Sequence, residues 1–311
     1  LTNTAPKLSI RLAVFLHACY NMNMTISKEN SSKIVFFGTD EFAVIVLEKL
    51  MQAGFDVRAV VTPPDEPSGR KKILRASPVK IKNEDLGLPL FQPARLKDFE
   101  MPVCDLGIVV VYGKIIPQKT MAAAKYGFLN IHPSLLPKYR GPSPIRTAIF
   151  NGDAETGVTI IKLDSEMDHG DIVASSKYQI PNTKMHEEIR DDLAKLGAEL
   201  LIKTIPDYVS GKITPQPQDH NQATHTKMLA REDGKIDWHR TPQEIYNQFR
   251  AYGGWPSVFT YHESRNMKQK ISVKILDCKL ENGKLEILQL QPESGTPISM
   301  KDFINGYGHL N

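Results

Sequence analysis

The chain has 311 residues, 41% apolar and 24% charged, the profile of a soluble globular protein of about two domains. No apolar run approaches the roughly 18 residues that a membrane-spanning helix needs, and three scattered cysteines, Cys19, Cys104 and Cys278, exclude a dense disulfide framework or a CxxC site and fit a reducing compartment. The net charge of +4 says little about a polyanionic partner, because Lys7, Arg11, Lys28 and Lys33 stand against Glu29 alone and residues 1–33 hold +3 of it.

Residues 1–33 read as a leader. They are rich in Ser, Thr, Asn and Met around a short apolar stretch, Leu12–Leu16, a composition that suits an organelle-targeting peptide. From Ile34 the chain reads as α/β. The apolar run Ile34–Phe37 ends at Gly38, and Phe42, Ile45, Val46, Lys49 and Leu50 follow at helical spacing. Gly38–Thr39–Asp40 lacks the GxGxxG pattern and reads as a tight strand-to-helix turn. Further runs at Val57–Val61, Leu106–Val111 and Phe128–Ile131 alternate with helical patterns near Val79–Leu86 and Gln118–Lys125, which predicts βαβ units and a mainly parallel, Rossmann-like sheet. Asp191, Leu193, Leu196, Leu200 and Ile205 mark one more amphipathic helix, ending before Pro206. This first unit is placed at residues 34–209.

Residues 210–223 are polar and proline-bearing and read as an interdomain linker. Residues 224–311 form a smaller unit. A helix is predicted at Pro242–Phe249, then short strands at Ser257–Tyr261, Ile271–Asp277 and Lys284–Gln289, with a turn at Glu281–Asn282–Gly283.

Three segments carry side chains suited to chemistry. Asn130 and His132 lie two apart at the end of an apolar run, so on a strand they project from one face, at the carboxyl edge where open α/β sheets bind ligands. Ser134–Leu135–Leu136–Pro137 and a further Pro and Gly follow, a stiff loop able to wall a pocket. The second segment, Leu163–Asp171, holds Asp164, Glu166, Asp168 and Asp171; it does not fit an EF-hand, and one of its carboxylates set against His132 would favour the protonated ring. Spacing alone does not choose among the four. The third, Pro63–Arg75, is a long loop whose Arg70, Lys71, Lys72 and Arg75 suit a phosphate-rich partner.

Together these residues resemble the methionyl-tRNA formyltransferases, most closely the mitochondrial kind. The likeness runs over nearly the whole chain from Lys33. It is carried by Val35–Ala43, the basic loop with Ser77–Pro78–Val79–Lys80, Tyr112–Pro117, the Asn130/His132/Ser134–Pro137 segment, Met167–Asp171, Lys235–Trp238 and Arg250–Pro256. The Asn/His/SLLP segment is common to enzymes that use 10-formyltetrahydrofolate; the basic loop and the C-terminal motifs select the tRNA enzyme.

The resemblance implies formyl transfer from 10-formyltetrahydrofolate to the α-amine of methionyl-tRNA, for translation initiation, without a metal. It implies that Asn130 and protonated His132 stabilise the oxyanion, that Asp168 orients His132 and favours its cation, and that folate lies along Gly113, Lys114, Ile115 and Ile116 and along Ser134, Leu135, Leu136 and Pro137. It further implies that Arg70, with Lys71, Lys72 and Arg75, meets the tRNA, that the C-terminal unit is OB-like, and that the protein is a monomer of the mitochondrial matrix. The basic loop is shorter than a common bacterial version, and the C-terminal module is shorter than the family's between Cys278 and Leu288, which predicts a barrel lacking one or two strands. A formyltetrahydrofolate hydrolase would share the same three catalytic residues, and an RNA-binding scaffold would lack the chemistry.

Overall fold

The computed structural model describes residues 32–68, 73–263 and 270–310. The leader up to residue 31, and Arg70, Lys71 and Lys72, lie outside the described residues. A seven-stranded sheet forms from β1 (Lys33–Gly38), β2 (Asp56–Val61), β5 (Leu90–Phe91), β6 (Leu106–Val110), β7 (Phe128–His132), β8 (Glu155–Lys162) and β9 (Ile172–Gln179), in the order β5-β2-β1-β6-β7-β8-β9. The first five are parallel, and β8 and β9 are antiparallel to their neighbours. The chain order reverses between β1 and β6, which puts the topological switch point, where open α/β sheets hold ligands, at the carboxyl ends of these two strands.

The apolar runs are continuous because the sheet is covered on both faces. Ile34, Phe36, Ile108, Val110, Leu129 and Ile131 pack on one side; Val35, Phe37, Val61, Val109 and Phe128 pack on the other. That alternation assigns the even positions of β7, Phe128, Asn130 and His132, to a single face.

Helix α1 (Glu41–Gln52) and the 24-residue α5 (His186–Val209) cover the first face. Asp40 caps α1 by accepting from Ala43 N at 3.1 Å. Burial raises its carboxyl from 3.8 to about 6, and the Ala43 N–H offsets only part of that rise. The folded state therefore binds this proton more tightly than the unfolded chain does. The contribution to stability is complete below pH 4 and is lost as pH rises through about 6. Asp40→Asn keeps the cap and removes the charge. It should stabilise the protein by about 2 kcal/mol at pH 8 and by almost nothing at pH 4, read from denaturant midpoints.

Several boundaries differ from the sequence reading. Helix α5 continues through Pro206, which sits in its last turn and costs one backbone donor, while Ser210 N closes the turn onto Pro206 O at 3.1 Å. Between α2 (Pro78–Leu86) and β7, helix α3 is only Gln118–Met121, not Gln118–Lys125. After it, Ala123 N to Thr120 O and Ala124 N to Met121 O are tighter, three-residue bonds that swing the chain into β7. The loop after β2 is not wholly irregular: Glu66–Ser68 (β3) pairs antiparallel with Ile73–Arg75 (β4).

The segment 210–223 packs against the first unit: Gln216 pairs with Ile172 through backbone bonds of 2.7 and 2.8 Å, Gln218 is buried, and Arg140 donates to Gln218 Oε1 at 2.7 Å. Beyond it, α6 (Pro242–Tyr252) packs on α4 (Pro144–Asn151), with the Phe150 and Tyr252 rings stacked at 5.3 Å. The C-terminal sheet is an open antiparallel array in the order β10 (Val258–Glu263), β11 (Lys270–Glu281), β12 (Lys284–Pro292), β13 (Ile298–Ser299), followed by α7 (Met300–Tyr307). Asn282 and Gly283, both at positive φ, join β11 to β12 directly in a two-residue hairpin, and among the described residues the strands form an open four-stranded sheet. Burial pushes the thiols of Cys104 and Cys278 up to about 11 and about 12, which keeps both unreactive at neutral pH.

Candidate active site

His132 ends β7 and is 4% exposed. Its Nε2–H donates to the Tyr139 carbonyl at 2.9 Å, and its Nδ1 faces Asp168 Oδ1 at 3.4 Å. A ring with both nitrogens protonated satisfies both contacts. Asp168 sits in the turn between β8 and β9 at φ +52°, a strained conformation for a residue other than glycine. Its second carboxylate oxygen accepts from Gly141 N at 2.7 Å. Of the four acids of that turn, Asp168 is the one set against His132. Asp164 instead meets His169 Nδ1 at 2.6 Å.

Gly170 explains the tightness of the turn, since a Cβ there would lie 1.8 Å from Lys162 O.

Asn130 is half-buried, on the same face of β7 as His132 and in register with Val109 of β6. Among the described residues its carboxamide meets no protein partner, so its N–H groups are free for a ligand. The neighbouring edge is built by β6: Val111 turns out of the sheet at φ +46°, and Thr39 donates to Tyr112 O at 3.2 Å, tying the ends of β1 and β6 together.

The segments named for folate divide in character. Gly113, Lys114 and Ile115 stand open at the carboxyl edge, Ile115 being 82% exposed, whereas Ile116 turns into the core. Ser134 is fully buried, and its hydroxyl donates to Lys138 O at 2.6 Å, so that side chain is not available to a ligand. Thr159 donates to Ser134 O and accepts from Leu136 N. Leu136 is buried, Leu135 and Pro137 half-buried, and the Leu136–Pro137 peptide is cis. What this loop leaves open is thus backbone and apolar surface, not the Ser134 hydroxyl. Arg75 is exposed at the end of β4.

Three participants were not legible in the sequence. The Gly141 N–H holds the carboxylate, and Arg140 and Gln218 support the turn behind it. Gln218 lies 50 positions from Asp168 with no periodic signal to connect them.

The formyl transferase family model matches residues 32–205, and the model of its C-terminal domain matches residues 228–284. Curated methionyl-tRNA formyltransferases align over most of both chains. That of Chloroflexus aggregans is 38% identical over 299 residues, 88% of this chain and 97% of the relative. The chain belongs to the methionyl-tRNA formyltransferase family. The Roseiflexus castenholzii member is 45% identical over 238 residues, 74% of this chain and 76% of the relative. Among solved structures, the Clostridium thermocellum methionyl-tRNA formyltransferase superposes with a TM-score of 0.56 at 18% identity, covering 84% of this chain and 98% of that one. The sugar 3N-formyltransferase WlaRD, crystallised with dTDP and 5-N-formyl-tetrahydrofolate, gives 0.61 at 22% identity over 81% of this chain and 87% of its own. Both share the fold of this formyltransferase. Asn130, His132 and Asp168 lie within the residues matched by the formyl transferase model.

Proposed function

We infer that this chain transfers the formyl group of 10-formyltetrahydrofolate to the α-amino group of methionyl-tRNA, giving formylmethionyl-tRNA for translation initiation. The observation that carries this reading is the near full-length match to curated methionyl-tRNA formyltransferases. The amine nitrogen forms a bond to the formyl carbon, the bond from that carbon to N10 of the folate breaks, the amine loses a proton and N10 gains one. Between these events the formyl oxygen carries negative charge. The free Asn130 amide supplies an N–H to it, a contribution of about 3 kcal/mol for one such donor. His132 supplies a second N–H by exchanging its bond to Tyr139 O. Asp168 holds the ring from the opposite side. The open edge at Gly113–Ile115, with the wall at Leu135–Pro137, receives the folate.

Incubating the protein with labelled 10-formyltetrahydrofolate and methionyl-tRNA, beside a control with water alone, tests this. Label is expected on the tRNA; label released only as formate would overturn the reading.

The basic loop of Arg70, Lys71, Lys72 and Arg75 is assigned to the tRNA acceptor end, supported by its charge and by the family likeness of that segment. Arg70→Ala should raise KM for tRNA about tenfold and leave KM for folate unchanged, with the tRNA effect shrinking as salt rises. Equal effects on both substrates would refute the assignment. The composition of residues 1–33 supports delivery to the mitochondrial matrix, and fractionation of cells expressing the chain with and without that segment tests it. A monomer is the expected assembly, to be checked by light scattering.

A further inference from the structure

The polar network behind Asp168 goes beyond the triad and rests on the formyl-transfer reading above. Gln218, 5% exposed, comes from the segment that joins the two domains. Its amide Nε2 donates one hydrogen to Asp168 O at 2.9 Å and the other to Gly170 O at 2.8 Å. Its Oε1 accepts from Arg140 Nε at 3.2 Å and from Arg140 Nη2 at 2.7 Å. Every hydrogen-bonding position of the side chain is thus used, and the amide has only one orientation that satisfies all its partners.

Arg140 is itself 5% exposed and, among the described residues, pairs with no carboxylate; besides Gln218 it donates to His220 Nδ1 at 2.8 Å. Its backbone is clamped by the residues just after that segment, through Arg140 N to Thr224 O at 2.8 Å and Thr226 N to Arg140 O at 2.7 Å. The next residue, Gly141, holds the Asp168 carboxylate. The backbone of Asp168 and its carboxylate are therefore both fixed from Arg140–Gly141 and the interdomain segment, and Asp168 is at a positive φ that needs such support.

We propose that Gln218 is a positioning residue for formyl transfer, acting through the Asp168 turn to keep the carboxylate against His132. It touches neither substrate. The role requires two N–H groups and one acceptor on the same planar group. Methionine fills the space without them, and glutamate keeps the acceptor for Arg140 while setting lone pairs against two carbonyls.

Single-turnover formylation of methionyl-tRNA, with rates expressed per folate-binding site, tests the proposal on Gln218→Met and Gln218→Glu. Both should lose about 10- to 100-fold in rate, the scale expected of misplacement by an ångström or so. KM for both substrates should stay within threefold. In an Asp168→Asn background, Gln218→Met should cost less than twofold, because the carboxylate it positions is already gone. An unchanged rate in both single variants overturns the proposal, as does a loss that is equal in the two backgrounds or confined to KM. Wild-type protein inactive in this assay would sink the formyl-transfer reading itself; active wild type with unaffected variants would sink only the role of Gln218.

Discussion

His132→Ala will lower kcat about 1000-fold and leave KM for both substrates within a few-fold. The ring stands at the carboxyl end of β7 between a carboxylate and a carbonyl, beside an amide that is free for a ligand. A positioned proton donor of this kind contributes roughly 100- to 10,000-fold, and an oxyanion donor a similar amount. Because such a donor acts on charge that develops only during reaction, its loss falls on kcat. The substitution also leaves the Tyr139 carbonyl without its partner, a cost of about 1–3 kcal/mol, so the variant should remain folded with a lower Tm. Steady-state kinetics beside thermal melts make the check. A kcat within tenfold of wild type would remove His132 from the reacting centre.

Arg250→Ala will have the largest effect on stability. Arg250 is 2% exposed, on α6 of the C-terminal unit, and reaches across to the segment between β9 and α5. It donates to Lys184 O at 2.9 Å and to Pro181 O at 2.6 Å, with a longer bond to Asn247 Oδ1 at 3.3 Å. Burial lowers the guanidinium pKa. Truncation leaves two carbonyls unpaired there and opens a void. At about 1.5–3 kcal/mol for each bond to a charged donor, a loss of about 4 kcal/mol and a fall in Tm of about 10 °C are expected. Methionine fills the void without restoring the bonds, so Arg250→Met should recover only a minor part. A shift below about 2 °C in the alanine variant would show that the seam tolerates its absence.

What could be read from the sequence follows from how local each signal is. Helix α1 was legible because Phe42, Val46 and Leu50 repeat at one helical face, and the Asn130/His132 pair because strand alternation is a two-residue rule. The helix through Pro206 was missed because proline in a last turn costs one bond, which the packing of Leu201 and Ile205 outweighs. Among four acids within eight residues, nothing local selects Asp168; the selection comes from Gly141 and from the positive φ of the turn. The packing of segment 210–223 was not legible because its partners, Ile172 and Arg140, are distant in sequence. Composition reports what a residue prefers, while these contacts are decided by which distant backbone arrives beside it.

An unclosed β-sheet is ordinarily an invitation to neighbouring molecules, since its outer strands present unsatisfied amides and carbonyls. Here part of each margin is covered. Ile236 N bonds to Phe259 O at 2.8 Å along the flank of β10, and the opposite margin, β13, is two residues long before α7 takes over the chain. At these two places the C-terminal sheet offers few free backbone groups to an arriving strand.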